Sequence, residues 1–188
     1  MVKVPTRATN ALRRRTRAFG KDRRGVSAVE FALILPLMVT LYLGGIQISD
    51  ALTVSRKVTH VASTLGDLVT QSKNITNSDM SNIFDASAAI LAPYAASTLK
   101  MKVSSIKIDS NGKATVVWSD ARNDTPLTKD AVVTLPAGVT VNSTWIVTAE
   151  VHYPYQPWIG YVLTGTYDLH DQFYLRARLS DDVKRSAS

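Results

Sequence analysis

The stretch Arg23-Arg24-Gly25-Val26-Ser27-Ala28-Val29-Glu30-Phe31 decides how the rest of the chain is read. Two arginines and a glycine precede an apolar run over residues 26–48, twenty-three positions whose only charge is Glu30. At ~1.5 Å of rise per residue, a helix of that length just crosses a hydrocarbon core of roughly 30 Å. A carboxylate inside such a span is unfavourable by about 2.5–3.5 kcal/mol at mid-helix and by less near an end. Glu30 therefore asks for a partner.

The charge map agrees with a membrane anchor. The chain carries 22 basic and 15 acidic residues, a formal +7. Nine of the basic side chains and one acid fall in residues 1–24, which leaves 13 basic and 14 acidic residues beyond, a net of −1. Basicity confined to a tail beside a hydrophobic helix is a topogenic signal that holds that side in the cytoplasm. The other use of such a tail is as an arm for anionic lipid or nucleic acid. A secretory signal would have a shorter apolar region, ~7–15 residues, followed by a small-residue cleavage site. Here the run is longer, and Gly44-Gly45-Ile46-Gln47 offers no such site. The cleavable small residue, Gly25, lies before the run, and glycine leaves the backbone unencumbered for a peptidase. Cutting there removes a basic leader, residues 1–25, and starts the mature chain at Val26. The new amino group, with an ordinary pKa of about 7.7–8.0, would sit one helical turn from Glu30. Glu30 could pair with that amino group, pair with the one on a neighbouring chain, or snorkel to the headgroups.

Beyond the leader, residues 26–48 read as the transmembrane helix. Pro36 frees the carbonyl of Ala32 and predicts a kink, and Tyr42 suits the headgroup level. Residues 49–72 read as an amphipathic extension, with Ala51, Val54, Val58, Val61, Leu65 and Leu68 on a seam of period near 3.5. That seam either packs on the chain's own domain or joins a bundle with partner subunits. Residues 73–188 read as one domain without disulfides, since the chain has no cysteine. A polar break at 71–79 leads to a helix over 79–91 capped by Ser78 and ended by Pro93. Strands follow at 100–108 and 114–118 around the turn Asp109-Ser110-Asn111-Gly112-Lys113. After a polar connection at 119–130 come strands at 132–135, 145–153 and 167–179, with Tyr153-Pro154-Tyr155-Gln156-Pro157-Trp158 as a breaker. The fold class is α+β, a long N-terminal helix followed by a small domain with an antiparallel sheet.

Catalytic signals are missing. His60, His152 and His170 are far apart in sequence, and His170-Asp171 and Asp181-Asp182 lack the spacing of a metal motif. Asp109-Ser110-Asn111-Gly112 begins like a calcium loop, but no closing acidic ligand follows, and a hairpin turn is the better reading. The chain is expected to be no enzyme and to need no cofactor or metal.

Arg23-Arg24-Gly25-Val26-Ser27-Ala28-Val29-Glu30-Phe31-Ala32-Leu33-Ile34-Leu35-Pro36 resembles the processing site and first helix of type IV pilin-like proteins. Among them it is similar to the TadE-like (TadE/TadG-like) pseudopilins of tight-adherence, or Flp, pilus systems. The resemblance runs to about Leu68. Phe173-Tyr174-Leu175-Arg176-Ala177-Arg178-Leu179-Ser180 is similar to the close of such chains, with Ala177 where they often carry proline. The resemblance implies a minor pseudopilin in the inner membrane, with its N-terminus cytoplasmic and its C-terminal domain periplasmic or extracellular. It implies cleavage between Gly25 and Val26 by a membrane aspartyl prepilin peptidase, and subunit docking through Glu30 and its neighbour Phe31. Membrane lipid, the peptidase and other pilins would be its partners, with no nucleic acid. The alternative is an uncleaved signal-anchored envelope protein whose outer domain binds a ligand or polymer, with the aromatic stretch at 153–161 lining the surface.

Overall fold

The computed structural model describes residues 23–186, and the basic leader expected at 1–25 lies almost wholly outside them. Its first element, α1, is one 48-residue helix, Arg23–Thr70, with Pro36 in its interior. The chain divides into two compact units, Met1–Ile46 and Gln47–Ser188. Described residues of the first unit are helical throughout, and their large apolar side chains, among them Val29, Phe31, Leu33, Leu37 and Leu41, are exposed. α1 is long and apolar enough to cross a membrane, with a mean hydropathy of 2.0 over its most apolar window and none of that window buried. A core helix of a soluble domain would have buried it. The N-terminal part of α1 thus has the length, apolarity and exposure of a membrane anchor, one such span among the described residues.

In the second unit the helix changes role. Val54, Val58, Val61, Ala62, Leu65 and Val69 are fully buried against the rest of the unit. The seam therefore packs on the chain's own domain, which removes it from any bundle with partner subunits. The expected Leu68 is only half-buried, and Val69 takes its place at the core. A straight helix of 3.6 residues per turn drifts off a 3.5 repeat, so the buried stripe walks by one residue over its length.

Two short strands and a helix follow the order expected of an α+β domain. β1 (Asn74–Ile75) pairs in parallel with β7 (Lys184–Arg185), a pairing that two-residue strands do not announce in sequence. α2 spans Asn77–Ala89. Its cap is Thr76 and not Ser78: Asp79 N–H donates to Thr76 Oγ1 at 3.2 Å, and Thr76 N–H donates to Asp79 Oδ2 at 3.0 Å. This reciprocal box satisfies two donors, and a cap at Ser78 would have forgone it. Met80, Phe84 and Ser87 face the core.

The main sheet is antiparallel, ordered β4-β3-β2-β5-β6. Its strands are β2 (Lys100–Ile108), β3 (Ala114–Arg122), β4 (Val132–Val133), β5 (Thr144–Tyr155) and β6 (Tyr167–Leu175). β3 runs four residues past its expected end, because Ser119 faces Ser104 with the hydroxyls 2.8 Å apart and Arg122 pairs with Met101. β4 is shorter than expected. β5 passes through Pro154, where a break was expected; β2 ends opposite His152, so at Pro154 only β6 remains to pair. A proline lacks only the donor that the missing neighbour would have used. β6 stops at Leu175, and Leu179 is exposed in the segment beyond.

Both faces of the sheet are used. Met101 and Val103 of β2 join Val147, Ala149 and Val151 of β5 beneath α1 and α2. Ile106, Ile108 and Ile146 form a second cluster on the other face, covered by Val133, Leu135, Val139 and Tyr174. The hairpin turn at 109–113 is closed by Asp109, whose Oδ1 accepts from Asn111 N–H at 2.8 Å and Lys113 N–H at 2.9 Å, while Gly112 supplies φ +80°. That carboxylate is thereby committed to the turn.

α1 comes close to the sheet at Gly66, where a Cβ would lie 2.3 Å from Leu175 Cδ1 and 3.3 Å from Ala149 Cβ. The first of these atoms ends a flexible side chain, and alanine gains about 1 kcal/mol of helix propensity over glycine. Gly66→Ala is expected to change stability by less than about 1 kcal/mol. Gly66→Leu should lower it by about 1–3 kcal/mol through overpacking. Denaturant melts of the full chain in detergent, with Leu175→Ala added to relieve the clash, check both.

Candidate functional site

Two regions hold the candidate residues, the start of α1 and the polar ties of the second unit. Gly25 and Val26 lie in the first turn of α1, which begins at Arg23, so Gly25 is helical and not extended. Glycine at a helical position is less favourable than alanine by about 1 kcal/mol, because it has more backbone freedom to lose. Among the described residues, nothing lies within 4 Å of a Cβ built on Gly25. Glu30 is exposed and has no ion-pair partner among the described residues. Phe31 is exposed beside it. Pro36 stands within the helix, and Thr40 Oγ1 donates to its carbonyl at 2.8 Å.

Where α1 enters the second unit, two polar side chains meet the domain. Gln47 is fully buried, and its Oε1 accepts from the backbone N–H groups of Val162 and Leu163 at 2.9 and 3.0 Å. Its Nε2 finds no acceptor among the described residues. Asp50 accepts from the hydroxyls of Tyr94, at 2.6 Å, and Tyr155, at 2.7 Å. Donating to a carboxylate makes a phenol harder to ionise, and with burial this pushes the Tyr94 pKa up to about 12. Burial and then the same carboxylate push Tyr155 up as well. One acid thus ties α1 to the segment after α2 and to the end of β5. Two further charges on this part of α1, Lys57 and Asp67, are also engaged. Lys57 Nζ donates to the carbonyls of Ile90 and Ala92 at the end of α2, and Asp67 receives Arg178 at 2.6 Å.

The structure brings together two histidines that are 18 positions apart in sequence. His152 and His170 are directly opposed in β5 and β6, with rings stacked at 5.4 Å and 17° between planes. His152 is held from both sides: Nε2 to Glu150 Oε1 is 2.9 Å, and Nδ1 to Asp168 Oδ2 is 2.8 Å. Glu150 also receives Lys102 Nζ at 2.9 Å. His152, Asp168 and His170 keep their ligand atoms within 4.8 Å of one another, a spacing that could hold a cation. An ion there would have to displace the proton that His152 Nδ1 shares with Asp168. Asp171, the expected companion of His170, is elsewhere and accepts from Thr59 Oγ1 at 2.7 Å. Only strand register, which no local motif carries, sets this cluster.

The aromatic stretch at 153–161 divides. Tyr153 and Tyr155 are buried in the core, while Trp158 and Tyr161 are exposed. It does not form one continuous lining.

Burial, the largest single influence, pushes the His152 pKa down, but the hydrogen bonds to Glu150 and Asp168 outweigh it and hold the value above that of an ordinary histidine. A raised folded-state value means that the stabilisation is complete below the unfolded pKa, about 6.5, and is lost as pH rises through the folded value. Glu150, held below the usual carboxylate range despite burial, contributes in the opposite sense and loses its contribution only in acid. The melting-temperature gap between the wild type and His152→Gln is therefore expected to be wide near pH ~5.5 and to close toward pH ~8.5. Thermal melts of both proteins across that range read the gap directly.

Residues 25–65 match the family model described as TadE-like protein. No curated protein and no solved structure matches the chain. The matched segment begins at the glycine before the apolar run and ends within the buried stripe of α1. The match overlaps the resemblance from Gly25 to Pro36, and residues 25–65 are similar to TadE-like proteins.

Proposed function

We propose, for a chain whose residues 25–65 are TadE-like, that it is a minor pseudopilin acting in assembly of a tight-adherence pilus. One observation carries the reading: the match starts at Gly25, directly before the exposed apolar run 26–48, whose single carboxylate, Glu30, lies one turn from Val26. A prepilin peptidase cuts after Gly25 and removes the basic leader. The positive charge of that leader keeps it in the cytoplasm, so the sheet domain lies on the far side of the inner membrane. The new amino group at Val26 gives Glu30 a cationic partner on a neighbouring subunit, and in lipid that pairing is a docking signal because an unpaired carboxylate is costly. Phe31 and the other exposed side chains supply apolar surface around it. The chain works by recognition and not by catalysis, with lipid, the peptidase and other pilins as partners.

Intact-mass measurement and N-terminal sequencing of protein from native membranes test the processing step. The expected mature chain starts at Val26 and keeps 163 of 188 residues, the 25 of the leader being lost. Gly25→Leu, which puts a large side chain at the cut, should leave the leader in place. A wild-type chain that keeps its leader would overturn the reading in favour of an uncleaved signal-anchored protein.

Glu30→Gln separates docking from processing. Losing one partner of a buried charge pair is typically unfavourable by about 2–5 kcal/mol, roughly 30-fold or more in a docking equilibrium. Cleavage and membrane insertion are expected to persist while pilus yield, and co-purification with other pilus subunits, collapse. Wild-type piliation in this variant would remove Glu30 from the docking role.

A further inference from the structure

Residues 156–166, between β5 and β6, read Gln-Pro-Trp-Ile-Gly-Tyr-Val-Leu-Thr-Gly-Thr and carry no charge. Trp158 is 75% exposed, Tyr161 58% and Val162 43%. Aromatic side chains this large are normally turned inward, as Tyr153 and Tyr155 are just before them. The loop is not loosely attached. Its backbone N–H groups at Val162 and Leu163 donate to Gln47 Oε1, and Gln47 itself is fully buried.

That anchor fixes the level of the loop along α1. Gln47 is the next-to-last residue of the apolar run at 26–48, so it stands where the helix leaves the hydrocarbon. Ile48 and Leu52, one turn apart on α1, are also exposed and apolar, and they carry a greasy stripe past this level. A tryptophan and a tyrosine on an uncharged loop, pinned to a membrane helix where its span ends, match the chemistry of the bilayer interface. There an amphipathic ring has its body in the acyl boundary and its polar tip among headgroups.

We propose that residues 156–166 form a lipid-facing foot, by which the sheet domain rests on the bilayer leaflet on its own side through Trp158, Tyr161 and Val162. The occupant of this patch is the lipid surface and not a protein. The inference rests on α1 being a membrane anchor and needs neither leader cleavage nor pilus assembly. Its consequence is mechanical. With α1 in the bilayer and the loop on its surface, the domain has two points of attachment, which restrict how it rotates about the helix axis.

The absence of cysteine from the chain allows a direct test. Single cysteines at Leu41, Asn111 and Thr164 are labelled with a nitroxide in the full chain, reconstituted at low protein density into phosphatidylethanolamine–phosphatidylglycerol vesicles. Leu41 reports the anchor, Thr164 the foot, and Asn111 the hairpin turn at the other end of β2 from His152. Accessibility to oxygen, which partitions into lipid, is compared with accessibility to an aqueous nickel chelate. The labels at Leu41 and Thr164 are expected to favour oxygen, and the label at Asn111 the chelate. Adding Trp158→Ser and Tyr161→Ser to Thr164→Cys should raise chelate access several-fold with an unchanged melt, since neither ring is in the core. A Thr164 label as open to the chelate as the one at Asn111, with Leu41 in lipid, would overturn the foot and leave the patch to a protein partner. Shielding at Thr164 that survives loss of both rings would also overturn it, because α1 alone would then hold the loop there. Chelate access at Leu41 would overturn the anchor itself.

Discussion

Burial of one stripe of α1 against the sheet is the interaction on which the rest of the structure depends. Val54, Val58, Val61, Ala62, Leu65 and Val69 leave water together, and they do so on the same helix whose earlier residues expose Val29, Phe31, Leu33 and Leu37. A helix of this length is not held by its own propensity; packing of an apolar face supplies most of the stability. Here one element has two apolar solvents in succession, lipid and then a protein core. The second unit keeps residues 47–70 of α1 as part of its own core.

Such a handover puts polar groups in a difficult place. At the end of the apolar run stands Gln47, and just before the buried stripe stands Asp50. A buried amide or a carboxylate there is unfavourable unless paired. The domain answers with two backbone N–H groups for Gln47 and two tyrosine hydroxyls for Asp50. These ties come from the segment after α2, from the end of β5 and from the loop beyond it. Parts of the chain more than a hundred residues apart are thereby gathered at the root of the anchor. The far end of α1 is closed in a similar way, with Arg178 N–H donating to the carbonyl of Thr70 at 3.0 Å and its guanidinium on Asp67.

What could be read from sequence followed the range of the physics involved. The anchor, the buried stripe, the hairpin around Gly112 and the α+β class rest on local periodicity and turn chemistry, and the structure has them. The errors occur where tertiary pairing overrides a local rule. Pro154 reads as a breaker until β2 is seen to end beside it. Ser78 reads as a cap until Thr76 and Asp79 are seen to bond each other. One signal was present but easily passed over: in β2 the apolar residues Met101 and Val103 are out of phase with Ile106 and Ile108. The phase changes across Ser104-Ser105 because the strand serves one core on each face of the sheet. The His152 cluster and the ties at Gln47 and Asp50 had no such signal. Each depends on a register or a loop closure that only the folded chain determines.

The limits of the family match have a physical counterpart. It covers residues 25–65, the exposed apolar helix and most of the buried stripe, and leaves the sheet outside. A helix that is apolar over a bilayer's width and then seats a domain has most of its positions constrained by chemistry. A stripe of valine, alanine and leucine asks much less of what covers it, since an apolar face of suitable shape satisfies it. Many sheets could pack on such a stripe, and the sheet seen here meets it with alternate residues of β2 and β5. The specific demands return only where polar groups must be matched, at Gln47 and Asp50. Those two residues fall inside the matched segment, whereas the groups that satisfy them, on Tyr94, Tyr155, Val162 and Leu163, fall outside it, so the match and the ties that complete its polar groups come from separate parts of the chain.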